Sequence, residues 1–154
     1  MAAYFFDTSG IVKRYIQETG TTWVQNLADP TSANFIYLSR VSSVEVASAT
    51  ARRLRTGSLT GPEANAILAQ FRLDMAAEYR IVEISPPLLD AAMVLAETRA
   101  LRAYDAVQLA AALELDALRT AGGLPPLTLV SSDQHLNAAA AACGLLVEDP
   151  NLHP

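Results

Sequence analysis

A single cysteine, two histidines and a single lysine set the first limits on this 154-residue chain. Cys143 has no partner for an internal disulfide, and beside the run 138–142 of alanines it reads as a small buried hydrophobe rather than a reactive thiol. Together with His135 and His153 it is too little, and wrongly spaced, for a typical zinc site. Seven glycines and eight prolines in a chain that is 51% hydrophobic leave no room for a disordered or collagenous class. No apolar run approaches the roughly 18 residues that span a bilayer, and Asp7 interrupts the one early apolar segment. Neither a membrane helix nor a secretory leader is expected, and the cytoplasm is the expected compartment. Positive charge is also short. Sixteen acidic residues against eleven basic ones give a net charge of −5, which excludes a broad basic face for coating nucleic acid but not a local contact with it.

Short apolar runs bounded by turn residues are what the chain has in abundance. Residues 3–6, 34–39, 81–84, 127–130 and 145–147 read as strands, and each of the first four passes directly into a helical pattern. Strand alternating with helix, each strand continuously apolar, predicts an α/β domain with a short parallel sheet of about five strands covered by helices on both faces. No internal repeat or linker interrupts residues 1–148, and residues 149–154 read as a tail. In such a sheet the carboxyl ends of the strands and the amino ends of the following helices share one edge, where ligands bind. Asp7, Glu45 and Asp133 fall at that edge.

The run 101–113 is a helix apolar on almost every side, with Asp105 in its first turns. An ionised carboxylate in an apolar wall needs a cation or hydrogen-bond donors. A distant arginine, water in a cleft, a structural ion pair with Arg102 or Arg99, or a metal ion shared with other acids would each serve. The other acids have ordinary explanations as well. Asp7 and Asp133 stand at N-cap positions, and Glu45 lies three residues after Ser42, the spacing of a capping box. If the four carboxylates converge instead, their repulsion calls for a hard divalent cation. Mg²⁺ or Mn²⁺ takes oxygen ligands, polarises a phosphodiester and lowers the pKa of a bound water.

Four segments in order, 6–15 (Phe6-Asp7-Thr8-Ser9 through Tyr15), 42–45, 101–110 and 130–139, resemble the PIN domain, in particular the VapC-type toxins, over nearly the whole chain. The resemblance implies a metal-dependent endoribonuclease, restrained by a cognate antitoxin protein and assembled as a homodimer. Position by position it implies that Asp7, Glu45 and Asp105 are the core acids and metal ligands, and that Asp133 is a more variable fourth. Ser9 matches a hydroxyl that supports the first aspartate, though it could equally cap the helix after it. Ser131 matches a hydroxyl two residues before the last acid.

RNA would need cations. Arg52, Arg53 and Arg55 follow Glu45 on its helix, with Arg52 on the same face as Glu45, and Lys13 and Arg14 follow the first motif. Each could also be part of a solvated face. Tyr15, Trp23 and Phe71 fit core packing better than an apolar groove for an antitoxin. A receiver module would need paired acids after the first strand and a late lysine. A haloacid-type phosphatase would need an aspartate where Ser9 stands. Ser-His-Asp catalysis lacks its nucleophile elbow. The remaining rival is a PIN-like fold used only for binding, its acids serving as caps and ion pairs.

Overall fold

Ala3–Phe6 (β1) lies at the centre of the computed structural model, which describes residues 1–154. The chain continues through α1 (Thr8–Ile11), a 3-10 turn at Val12–Arg14, α2 (Thr21–Ala28), β2 (Phe35–Ser39), α3 (Ser42–Arg55) and α4 (Gly61–Ala77). Then follow β3 (Arg80–Val82), α5 (Pro86–Arg99), α6 (Ala103–Ala121), β4 (Thr128–Val130), α7 (Gln134–Ala142) and β5 (Leu146–Glu148). All pairings are parallel, in the order β3-β2-β1-β4-β5, as the alternation of apolar runs and helical patterns predicts.

Alternation along each strand divides the core in two. Ala3, Phe5 and Leu129 face Leu88, Leu109 and Leu136 from α5, α6 and α7. Phe6, Ile36, Leu38 and Val130 face Val24, Val46 and Phe71 from α2, α3 and α4. Both faces are covered, which is why the strands read as unbroken apolar runs rather than as alternating ones. No helix is long and apolar enough to cross a membrane.

The chain steps outward from β1 to β2 and β3, then returns to the other side of β1 with β4. The crevice beyond the carboxyl ends of β1 and β4 is therefore the topological switch point of the sheet, where such folds place ligands. Close packing holds the two strand ends together. The Asp7 N–H donates to the Val130 carbonyl at 3.2 Å. A Cβ on Gly10 would lie 2.6 Å from that same carbonyl oxygen. Gly10→Ala should therefore push α1 off β4 and destabilise the fold by about 1–3 kcal/mol, the cost of overpacking a tight core. A denaturant midpoint within error of wild type would refute the close approach.

Two local expectations, for Cys143 and for residues 149–154, are revised, and the packing expected of the aromatic residues is met. Cys143 is half-buried against the α5–α7 core instead of fully enclosed. Tyr15 and Phe71 meet edge to face at 5.6 Å within the α2–α4 core, the packing expected of them. Residues 149–154 are docked. Pro150 is buried against Gly20, where its carbonyl leaves no room for a side chain and the φ of 87° favours glycine, and His153 stacks on Trp23 at 4.2 Å. Trp23 is thereby accounted for by intramolecular packing.

Candidate active site

Asp7 leaves β1 as the N-cap of α1 and is 4% exposed. Its Oδ1 accepts the Gly10 N–H at 2.9 Å and the Ser9 hydroxyl at 2.8 Å, while Oδ2 accepts no hydrogen bond. Burial pushes this carboxyl up to about 7. The Ser9, Gly10 and Ser131 donors oppose the rise and the charge of Glu45 adds to it. Ser9 does not cap the helix, since Asp7 already does. Its oxygen accepts the Ser132 N–H at 2.9 Å and lies 3.3 Å from the Ser131 hydroxyl, which in turn accepts the Asp133 N–H at 3.1 Å. One short network thus ties the loop after β1 to the loop after β4. The fully buried Ser131 is part of it.

The expected capping box at Ser42 does not form. Helix α3 begins one residue too early for it, with Val41 in the cap position and no side-chain cap. The Ser42 hydroxyl accepts a hydrogen bond at 3.1 Å from Nε2 of Gln108 on α6, and Glu45 Oε1 accepts from the same nitrogen at 2.8 Å. Glu45 is therefore held toward α6 rather than over its own helix start, and burial raises its pKa. Gln108 is 1% exposed, and its Oε1 is without a partner. The sequence offered a sign of it, an amide three residues after Asp105 in an otherwise apolar helix, but no role for it was deduced.

Asp133 caps α7 as expected, Oδ1 accepting the N–H groups of His135 (2.9 Å) and Leu136 (3.0 Å). Its Oδ2 accepts from Arg102 Nη2 at 3.2 Å, and Asp105 Oδ2 accepts from Arg102 Nε at 3.1 Å. The arginine among the open partners for Asp105 is thus Arg102, the N-cap residue of α6, and it bridges a second acid as well.

Asp7, Glu45, Asp105 and Asp133 line one open cleft of about 450 Å³ with Ser9 and Arg52 on its wall. The cations sort differently from expectation. Arg52 faces the cleft and forms no ion pair. Arg53 also lines it but pairs with Glu18. Lys13 is buried, its Nζ donating to Glu18 Oε2 at 3.1 Å and Asn151 Oδ1 at 3.0 Å. It is a wall of the site rather than a free phosphate contact. Arg14 points away altogether, into a network with Tyr79 (2.7 Å) and Glu78 (2.9 Å), drawn there by the carboxylates of Glu78 and the buried Asp74. Glu18, which neutralises Lys13, and Asn151, which accepts a second hydrogen bond from it, escaped sequence reasoning. Only the docked tail brings Asn151 to the cleft.

The donor set suits a hard cation: oxygens only, with a buried carboxylate whose Oδ2 is unpaired and the Ser132 hydroxyl buried without a partner beside it. The spacing is looser than the chemistry. No three of the His, Cys, Asp and Glu side chains stand close enough to hold one ion in this arrangement. Gln108 occupies an oxygen of Glu45, and Arg102 occupies one oxygen each of Asp105 and Asp133.

Residues 4–142 match the family model described as the PIN domain. The chain is 34% identical over its full 154 residues to Ribonuclease VapC45 of Mycobacterium tuberculosis strain CDC 1551, covering 100% of that protein. The same identity and coverage hold for Ribonuclease VapC49 from another strain of that organism. Among solved structures it is similar to PAE2754 from Pyrobaculum aerophilum, with TM-score 0.63 and 18% identity over 98% of this chain and 85% of that one. FitAcB from Neisseria gonorrhoeae gives TM-score 0.62 and 18% identity over 96% and 97% of the two chains. VapBC2 from Rickettsia felis, bound to a DNA fragment from their promoter, gives 0.59 and 16% over 96% and 98%. At these identities the structural likeness speaks for the fold.

Proposed function

The chain belongs to the PIN domain family, and from that membership we propose that it is a divalent-metal-dependent endoribonuclease, the toxin of a toxin–antitoxin pair. The observation that carries the proposal is Asp7, a buried carboxylate with a free oxygen in a cleft walled by three further acids at the switch point of a parallel sheet. The ribonuclease names of relatives 34% identical over the whole chain support RNA as the substrate. The toxin acts in the cytoplasm, as a homodimer, and is held inactive by a cognate antitoxin protein.

Asp7, Glu45, Asp105 and Asp133 would hold Mg²⁺ or Mn²⁺. Such an ion would supply Lewis-acid polarisation of the phosphodiester and a lowered pKa for a bound water. The protein's own part is positional. Ser9 fixes the Asp7 carboxylate through Oδ1 and leaves Oδ2 toward the cleft, Gln108 turns Glu45 inward, and Arg52 meets the phosphate backbone at the rim. Partner-free protein incubated with total RNA in Mn²⁺ should produce discrete new 5′ ends that chelator abolishes. Folded protein that yields none in either condition would return the domain to a non-catalytic binding role.

Arg52→Ala should weaken binding to a non-cleavable RNA and lower the slope of log K against log salt by about 0.7, the value of one single-strand phosphate contact. An unchanged slope would assign Arg52 to the solvated face of α3.

A further inference from the structure

We propose that Arg102 is a built-in counter-cation that competes with the divalent ion for the outer acids of the cleft and leaves them when the ion binds; this rests on the metal-site reading above. The guanidinium donates from Nε to Asp105 and from Nη2 to Asp133, the acids that open α6 and α7. At Asp133 the competition is strict. Its Oδ1 is committed to the first turn of α7 through two backbone N–H groups, so Oδ2 is the one oxygen left for a ligand, and Arg102 sits on it. Asp7 and Glu45, the inner acids, form no hydrogen bond or ion pair with Arg102, whose charge still favours the ionised Glu45. They can receive an ion before the arginine moves.

Arg102 is also easy to displace. Its side chain is 82% exposed, makes no cap bond to α6 and is held by these two ion pairs alone. Without the ion it offsets the repulsion between two helix-opening acids. With the ion in place it becomes a second positive charge beside a divalent one and is driven outward, to the cleft rim that it shares with Arg52. A rigid clamp would behave in the opposite way. If Arg102 served to preorganise Asp105 and Asp133 as ligands, removing it would loosen the site and weaken the ion.

Calorimetric titration of Mn²⁺ into the folded full-length protein separates these cases. Wild type, Arg102→Gln, Arg102→Lys and Asp105→Asn are compared at one pH and ionic strength, with thermal melts to confirm folding. Arg102→Gln should tighten the Kd about fivefold, the upper range for releasing exposed ion pairs. Arg102→Lys, which keeps the charge but cannot bridge both acids, should tighten it less. If wild type binds Mn²⁺ in a manner dependent on Asp105 while Arg102→Gln binds equally or more weakly, the counter-cation role is overturned and the metal site stands. Wild type that takes up no Mn²⁺, or takes it up regardless of Asp105→Asn, overturns both.

Discussion

Asp105→Asn lowers RNA cleavage by about a thousandfold, equivalent to about 4 kcal/mol of lost transition-state stabilisation, and leaves the melting transition nearly in place. The two effects separate because Asp105 contributes little to the fold. Its only protein partner is the exposed Arg102, and exposed ion pairs contribute about 0–1 kcal/mol. Its favourable place in the first turn of α6 is worth a similar amount. Asn keeps the shape and one acceptor oxygen, so α6 remains packed through Ala106, Leu109 and Ala110. What is lost is the negative charge facing the cleft, which a divalent ion requires. Single-turnover cleavage of a labelled RNA, read beside a thermal melt, checks both halves. Full activity in a folded variant would remove Asp105 from the metal site and leave it as the partner of Arg102.

Asp7 makes the stability of the ion-free protein fall as pH rises from about 4 to about 7. In the unfolded chain its carboxyl ionises near 3.8, whereas burial in the fold raises that value to about 7. Between those limits the native state holds a proton that the unfolded state has released, so stability declines with pH. The contribution is fully present below the unfolded value and is lost by the time pH passes the folded one. Over this window the loss amounts to about 4 kcal/mol, at 1.36 kcal/mol per unit. Asp7→Asn preserves an acceptor for Gly10 and Ser9 but cannot ionise. Urea titrations should therefore show the two proteins alike near pH 4 and the variant more stable by about that amount at pH 8. Saturating Mn²⁺ should close the gap by stabilising wild type alone, since a ligand that binds only the native state adds to its stability. A difference between the proteins that stays flat across the range would mean that the Asp7 carboxylate is already compensated in the fold.

Much of the scaffold could be read from local pattern. Buried parallel strands announce themselves as short apolar runs, and turn and cap residues mark where each gives way to a helix; Asp7 and Asp133 are caps in the structure as in the sequence. The same locality misled at Ser42 and Glu45. Their spacing is that of a capping box, but the helix starts one residue early and Gln108, 63 residues beyond Glu45, holds both side chains across the interface. Lys13 and Arg14 fail for a related reason. A cation next to a motif in the chain is free only if no acid elsewhere in the fold claims it; Glu18 claims Lys13, with the Asn151 amide as a second acceptor, and Glu78 and Asp74 claim Arg14.

By itself, then, the sequence determined the element order and the covered parallel sheet, and it placed three of the candidate acids, Asp7, Glu45 and Asp133, at helix starts. These depend on hydrophobic period and turn chemistry within a few residues, and the acids arrive with the helix starts that the sheet gathers at one edge. Only the tertiary structure decided how the acids are held. Asp7 is buried with one free oxygen, Glu45 is turned by an amide from another helix, Asp105 and Asp133 share Arg102, and a docked tail supplies Asn151 to Lys13. Each of these depends on which side chain first satisfies a charge in a low-dielectric cleft, and that competition is settled between residues distant in the chain.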